Sequence, residues 1–193
     1  MNSFNDFFVF GWGHIVDLTA YDHLLFVMTL CAAFRLSQWK QILIIITAFT
    51  IGHSITLILS ALDIVPSNSY VVELLIPITI MITAISNIIN YDKEGTFSNT
   101  RIKYTIALVF GLIHGLAFAS GLKIMLFGDS IVMRLFAFNV GIEAGQLYIV
   151  ALFMIALLIY SKIIRGAHVK WNIFVSGAGF GIAATLLLNF LKG

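Results

Sequence analysis

Six long apolar stretches occupy most of this 193-residue sequence, and they limit its possible folds more than any other feature. Each one approaches or exceeds the roughly 20 residues that an α-helix needs to cross the hydrocarbon core of a bilayer. In chain order they are Gly13–Phe34, Gln41–Leu62, Tyr70–Asn90, Tyr104–Phe127, Leu135–Tyr160 and Ile173–Leu191. The sequence therefore predicts an all-α, polytopic transmembrane helix bundle of about six helices, forming one transmembrane domain over residues 1–193.

The composition argues against a water-soluble fold. Apolar residues make up 60% of the chain and charged residues only 10%, whereas soluble domains are about 25% charged. The formal net charge of +2 is too small to suggest a nucleic-acid partner, and the basic residues lie between the apolar stretches. Cys31 is the only cysteine, which excludes a disulfide or a multi-thiolate metal site within one chain. The partner indicated by composition is the lipid bilayer.

Lysine and arginine are distributed unevenly between the connections, and this predicts the orientation of the bundle. The first, third and fifth connections contain Arg35, Lys40, Lys93, Arg101, Lys103, Lys162, Arg165 and Lys170. The opposite side has only Lys123, Arg134 and Lys192. Because cytoplasmic loops retain positive charge, both termini are predicted to face outward. The first ten residues contain Asp6 and no basic residue, so we do not expect a cleaved signal peptide.

Histidines and carboxylates lie inside the apolar stretches, where an ionisable group costs from about 2.5 kcal/mol upward unless it is paired, hydrated or metal-bound. At about 1.5 Å per helical residue, those from the Asp-His pair onward lie roughly 12 to 20 Å from the outer ends of their helices. We therefore expect them to meet at one level of the bundle. The candidate metal ligands are His14, Asp22, His23, His53, His114 and Glu143.

A second group of polar residues is predicted to support the ligands through hydrogen bonds. This group contains Asp17, Ser54, Glu73, Asn139 and Gln146. Asn139, Glu143 and Gln146 are spaced i, i+4, i+7 and therefore share one helix face. A simpler alternative also stands, in which Asp17 and Glu73 are hydrated residues of the interface and the neighbouring polar groups only hold helices together.

The types of the candidate ligands limit the choice of ion. Neutral imidazoles combined with carboxylates, without thiolates, suit divalent nickel, cobalt, zinc or iron. The same set is poorly suited to Cu(I), which prefers sulfur, and to Ca²⁺ or Mg²⁺, which prefer shells of oxygen. The sequence thus predicts a divalent transition metal ion (Ni, Co or Zn) as substrate or cofactor.

Four separated motifs resemble those of the HupE/UreJ family of membrane proteins. They are HIVDLTAYDHLLF, TAFTIGHSITL, GLIHGLAFA and FNVGIEAGQ, and they occur in the order expected for the family over most of the chain. One spacing departs from the family pattern, because seven residues separate His14 from the pair Asp22-His23 where five are usual.

The resemblance implies a permease for nickel or cobalt in the cytoplasmic (inner) membrane of a bacterium, related to proteins found beside nickel hydrogenases and ureases. It also implies that His14, Asp22 and His23 form the coordination site. Two other functions stay open. One is an intramembrane zinc-dependent hydrolase acting on a lipid ester or amide. The other is an accessory protein that only hands metal to a metalloenzyme-maturation partner, and a homo-oligomer is compatible with each function.

Overall fold

The computed structural model describes residues 4–17, 21–62, 64–66, 68–90, 100–125 and 131–192. Over these residues the chain forms seven α-helices and no strand. The helices are α1 (Phe4–Val16), α2 (Asp22–Cys31), α3 (Trp39–Ala61), α4 (Ser69–Ile89), α5 (Thr100–Met125), α6 (Ile131–Lys162) and α7 (His168–Lys192). The predicted all-α helix bundle is confirmed. The prediction of a single domain is not tested by these observations and stays a prediction.

Six apolar helical segments correspond to the six predicted crossings. Four of them are long and apolar enough to cross a membrane, namely Leu36–Ser60, Ser69–Ile89, Ile131–Lys162 and His168–Lys192. Two shorter apolar segments, Asp22–Cys31 and Lys103–Ala117, lie in α2 and α5. The length and hydropathy of these helices identify an integral membrane protein.

The first predicted crossing differs from expectation, because the stretch Gly13–Phe34 is divided between the end of α1 and the whole of α2. Asp22 begins the second of these helices, and its carboxylate accepts the backbone N–H of His23 at 2.9 Å. The first N–H groups of a helix lack partners within that helix. A side chain that bonds its neighbour's N–H therefore favours a new helix start over a continuous helix.

Contacts at the two ends of each helix show how the bundle alternates in direction. Tyr70 of α4 packs on Phe190 of α7 at one end, and Asn87 of α4 bonds Asn172 of α7 at the other. Similar contacts show that α2 and α4 run opposite to α3, α5 and α7. We call the end where α3, α5 and α7 begin the basic end, because it carries Arg35, Lys40, Lys103, Lys162 and Lys170. Lys93 lies outside the described residues.

Glycine allows α3 and α5 to approach each other closely. A Cβ atom at Gly111 would collide with the carbonyl of Phe49, and one at Gly115 with the carbonyl of His53. This approach brings His53 and its neighbour on α5, His114, to the same level. By contrast, a Cβ atom at Gly177 of α7 would meet no atom within 4 Å among the residues the structure describes.

A buried polar network holds the short helix α2 near the basic end. Asn87 of α4 donates its side-chain N–H to the carbonyl of Thr29 at 2.6 Å. Asn172 of α7 donates to the carbonyl of Asn87 at 2.8 Å, and Ser176 donates to the side chain of Asn172 at 3.0 Å. Hydrogen bonds between helices replace those that hydrocarbon cannot supply, so α2 is fixed between α4 and α7.

Candidate metal centre

Four imidazoles from four helices lie together inside the bundle. The ring of His23 is central, with its centroid 4.7 Å from His14, 5.9 Å from His53 and 5.3 Å from His114. The rings of His14 and His53 are 6.2 Å apart. His23, His53 and His114 are buried and His14 is half-buried. The fold thus brings all four predicted histidine ligands into one cluster, which we call the imidazole cluster.

Asp22 fixes the orientation and the tautomer of His23. Its Oδ1 atom lies 3.1 Å from Nδ1 of the imidazole. Because an ionised carboxylate can only accept, Nδ1 carries the proton and donates it. The lone pair of the ring is then on Nε2, which is buried and has no hydrogen-bond partner. A carboxylate behind an imidazole is the usual arrangement that orients a metal-binding histidine.

Thr79 of α4 acts in the same way on His114. The threonine hydroxyl donates its hydrogen to the carbonyl of Ile76 at 2.7 Å, and its oxygen lies 3.3 Å from Nε2 of His114. Since the hydroxyl hydrogen is already used, Nε2 must be the donor of this second bond. The lone pair of His114 is therefore on Nδ1, the ring atom that has no hydrogen-bond partner.

His53 has the strongest unmet requirement for a partner. Its side chain is 0% exposed, and both ring nitrogens are buried without a hydrogen-bond partner. A buried polar atom left in this condition costs about 1 to 3 kcal/mol. Together with Nε2 of His23 and Nδ1 of His114, three helices therefore present unpartnered buried nitrogen atoms to one region. This requirement is the property of a site that binds a further group.

The spacing of the rings fits one metal ion, although their orientations do not converge on a single point. No group of three or more His, Cys, Asp or Glu side chains among the described residues is arranged to hold a metal ion. Two imidazoles bound at about 2.1 Å to one tetrahedral ion would have centroids roughly 5 Å apart. The observed 4.7 Å between His14 and His23 and 5.3 Å between His23 and His114 are close to this value. Ring rotation without helix movement would therefore bring the nitrogens toward a common ion.

The polar residues predicted on the fifth crossing lie along the contact between α6 and α3. Glu143 accepts the hydroxyl of Thr47 at 2.7 Å through Oε1, and its Oε2 has no hydrogen-bond partner. Gln146 is fully buried and accepts the hydroxyl of Thr50 at 2.7 Å. No described hydrogen bond joins either side chain to the imidazole cluster. The predicted common face of α6 thus forms a polar contact with α3.

The remaining predicted support residues are spread around the cluster. Asn139 donates to the carbonyl of Leu135 at 2.9 Å within α6. Ser54, beside His53, donates to the carbonyl of Thr50 at 2.7 Å. Asp17 follows α1 directly and is exposed. None of these contacts, as described, places an oxygen atom on an imidazole nitrogen.

Asp22 connects the cluster to an open cavity of about 250 Å³ between α2, α4 and α7. Its side chain is 27% exposed. Glu73 and Pro77 also line this cavity, and Glu73 is exposed. Because proline has no N–H, the carbonyl of Glu73 loses its helical hydrogen bond. Two carboxylates therefore lie on the accessible side of the cluster, at the end of the bundle opposite the basic end.

A protein-family model described as "HupE / UreJ protein" matches residues 1–192. The chain belongs to the HupE/UreJ family. The resemblance predicted from the four motifs is confirmed over essentially the whole chain. No curated protein and no solved structure matches the sequence.

The unusual spacing in the first HupE/UreJ motif is accommodated by the break between the first two helices. His14 lies in the last turn of α1, and Asp22 begins α2. The intervening residues therefore include the connection between two helices, where additional length does not rotate the flanking side chains. The rings of His14 and His23 consequently lie against each other at 4.7 Å despite the seven-residue separation.

The sequence prediction missed Thr79, which has a direct contact with the imidazole cluster. Thr79 lies on α4, the one long helix that supplies no histidine, so no neighbouring motif identifies it. It is 2% exposed. A signal could have been found in its position near Pro77, where α4 lacks one backbone hydrogen bond.

Proposed function

We propose that this protein is a membrane permease for a divalent transition metal ion, nickel or cobalt, which it binds at the imidazole cluster. The observation that carries the proposal is the set of buried, unpartnered nitrogen atoms that His23, His53 and His114 present from three helices. His14 and Asp22 complete the proposed binding site. Imidazole nitrogen with one nearby carboxylate suits Ni²⁺, Co²⁺ and Zn²⁺.

Transport is favoured over permanent metal storage by the access to the cluster. The cavity beside Asp22 opens toward the end of the bundle opposite the basic end. Since the basic end is predicted to be cytoplasmic, an ion would reach the cluster from outside, which corresponds to import across the cytoplasmic membrane. The HupE/UreJ family is associated with nickel and cobalt transport or with accessory functions, which supports the same substrate.

The other candidate residues have proposed roles that follow from their positions. Asp17 and Glu73 are exposed carboxylates that would attract cations toward the site. Glu143, a carboxylate inside the bundle, would offset part of the charge of the ion. Ser54, Asn139 and Gln146 would hold helices and neighbouring side chains through hydrogen bonds.

The proposal is tested by metal entry into sealed liposomes that contain the purified protein and a trapped metal-sensitive dye. We expect nickel or cobalt entry with the wild-type protein, and its loss in His23→Ala and in His53→Ala, because each removes a ring nitrogen from the site. His168→Ala is the matched control, since His168 bonds the carbonyl of Phe34 at the basic end and should leave entry unchanged.

Metal analysis of the same preparation separates the other two functions. Entry that is unaffected by both cluster variants would overturn the proposal. Stoichiometric zinc that survives chelation, combined with no entry, would favour the intramembrane hydrolase. Nickel binding that depends on His53 without any entry would favour an accessory protein that hands metal to a partner.

A further inference from the structure

Each of the three helices that supply a buried histidine also supplies a phenylalanine one helical turn away. On α2, Phe26 follows His23 by three residues. On α3, Phe49 precedes its histidine by four residues, and on α5, Phe110 precedes its histidine by four. Because α2 runs opposite to α3 and α5, these offsets place all three phenylalanines on the same side of the imidazole cluster, toward the basic end.

The three rings form a closed layer against the cluster. Phe26 is stacked on Phe49 at 4.9 Å between centroids and meets Phe110 at 5.9 Å. The rings of Phe26 and Phe49 also lie 5.1 Å and 5.3 Å from the imidazole of His114. Their exposures are 0%, 0% and 8% for Phe26, Phe49 and Phe110. We call these three side chains the phenylalanine layer.

The two sides of the imidazole cluster therefore differ in access. On one side Asp22 reaches the open cavity of about 250 Å³. On the other side the next cavity, of about 80 Å³, is lined by Leu30, Asn87 and Lys103, among others. An ion that moves from the cluster to the basic end through α2, α3 and α5 must pass the phenylalanine layer. An apolar constriction without polar groups is a barrier to hydrated ions.

We infer that Phe26, Phe49 and Phe110 form the inner gate of the permeation route, and that the structure has the gate closed and the outer side open. This inference rests on the proposed permease function. An ion bound to the imidazoles would be released toward the basic end only when the three rings separate. Gating residues placed one turn from the ligands would link metal binding to opening, because ring rotation in the cluster moves atoms that contact Phe26 and Phe49.

The gate is tested with Phe49→Ala and Phe110→Ala in sealed liposomes, using Ni²⁺ and K⁺ as separate probes with trapped dyes. We expect Ni²⁺ entry to rise about tenfold, the effect of lowering a barrier by ~1.4 kcal/mol. We also expect K⁺ entry where the wild-type protein admits none. Phe153→Ala is the matched control, because this phenylalanine of α6 is equally buried at 4% exposure but packs on Trp171, 5.4 Å away.

Equilibrium binding of Ni²⁺ to each purified variant reports whether the imidazole cluster is still folded. If an alanine variant fails to fold, Phe49→Leu keeps most of the apolar volume, and Phe110→Trp should slow Ni²⁺ entry by narrowing the route. Variants that bind Ni²⁺ normally and show wild-type Ni²⁺ and K⁺ entry would overturn the gate. Wild-type protein that binds Ni²⁺ but admits none would overturn the permease instead, and K⁺ entry in Phe49→Ala would then still support the gate.

Discussion

Asp22 accepts two hydrogen bonds from the residue that follows it, one from the backbone N–H of His23 at 2.9 Å and one from its ring nitrogen Nδ1 at 3.1 Å. The same carboxylate therefore begins a helix and orients an imidazole. Both effects depend on the adjacency of the two residues, since the backbone bond holds the carboxylate where the ring can reach it. The free nitrogen of His23 then faces the other imidazoles.

Replacing Asp22 should weaken metal binding in two steps. Asp22→Asn keeps an oxygen that can accept from His23 but loses the charge, and Asp22→Ala loses both. We expect the affinity for Ni²⁺ to fall by about 10- to 100-fold in the alanine variant, the range found for partners that orient metal-binding histidines, and by less in the asparagine variant. Calorimetric titration of the purified proteins measures both. Equal affinities in Asp22→Ala and the wild type would contradict the assigned role.

Thr79 offers a test of the tautomer assigned to His114. In Thr79→Val the acceptor of Nε2–H is lost, so the ring is no longer held with its lone pair on Nδ1. We expect about a tenfold loss of Ni²⁺ affinity. Thr83→Val is the matched control, because Thr83 is also buried and its hydroxyl bonds only the backbone carbonyl of Thr79, at 2.8 Å. A similar loss in both variants would indicate a packing effect on α4.

Glu143 and His53 should differ in their contributions to affinity. Glu143→Gln keeps an oxygen for the hydroxyl of Thr47 and removes only the charge. Since no described bond joins Glu143 to the imidazole cluster, we expect Ni²⁺ affinity to fall less in this variant than in His53→Ala. Titrations of the two variants under the same conditions decide this. A loss in Glu143→Gln as large as in His53→Ala would make Glu143 a direct ligand.

Much of the fold could be predicted from the sequence because the membrane restricts the choices. Backbone groups in hydrocarbon must bond within their own segment, so a long apolar stretch is almost certain to be a helix. Two helices in place of the single first crossing could not be predicted from hydropathy. The break depends on how Asp22 bonds its neighbour, and averaged hydropathy over Gly13–Phe34 does not contain that information.

The histidines of the site could be predicted because an imidazole inside an apolar stretch is conspicuous. Thr79 and the phenylalanine layer were not, because threonine and phenylalanine are ordinary residues of membrane helices. Their importance comes only from contacts between helices, such as that of Thr79 with His114. The three offsets between histidine and phenylalanine are visible in the sequence, but they gain meaning only once the directions of α2, α3 and α5 are known.

The close approach of α3 and α5 should depend on the absence of a side chain at Gly111. In Gly111→Ala the new methyl group would collide with the carbonyl of Phe49, and overpacking of this kind costs about 1 to 3 kcal/mol. Gly177→Ala is the matched control, since its methyl group would enter open space and alanine favours the helix by up to about 1 kcal/mol. We therefore expect Gly111→Ala to melt at a lower temperature than the wild type in detergent, and Gly177→Ala at the same or a higher temperature. Because His53 and His114 lie on the two helices that this contact joins, Gly111→Ala should also weaken Ni²⁺ binding. Unchanged melting and binding in Gly111→Ala would mean that the two helices can separate without disturbing the imidazole cluster.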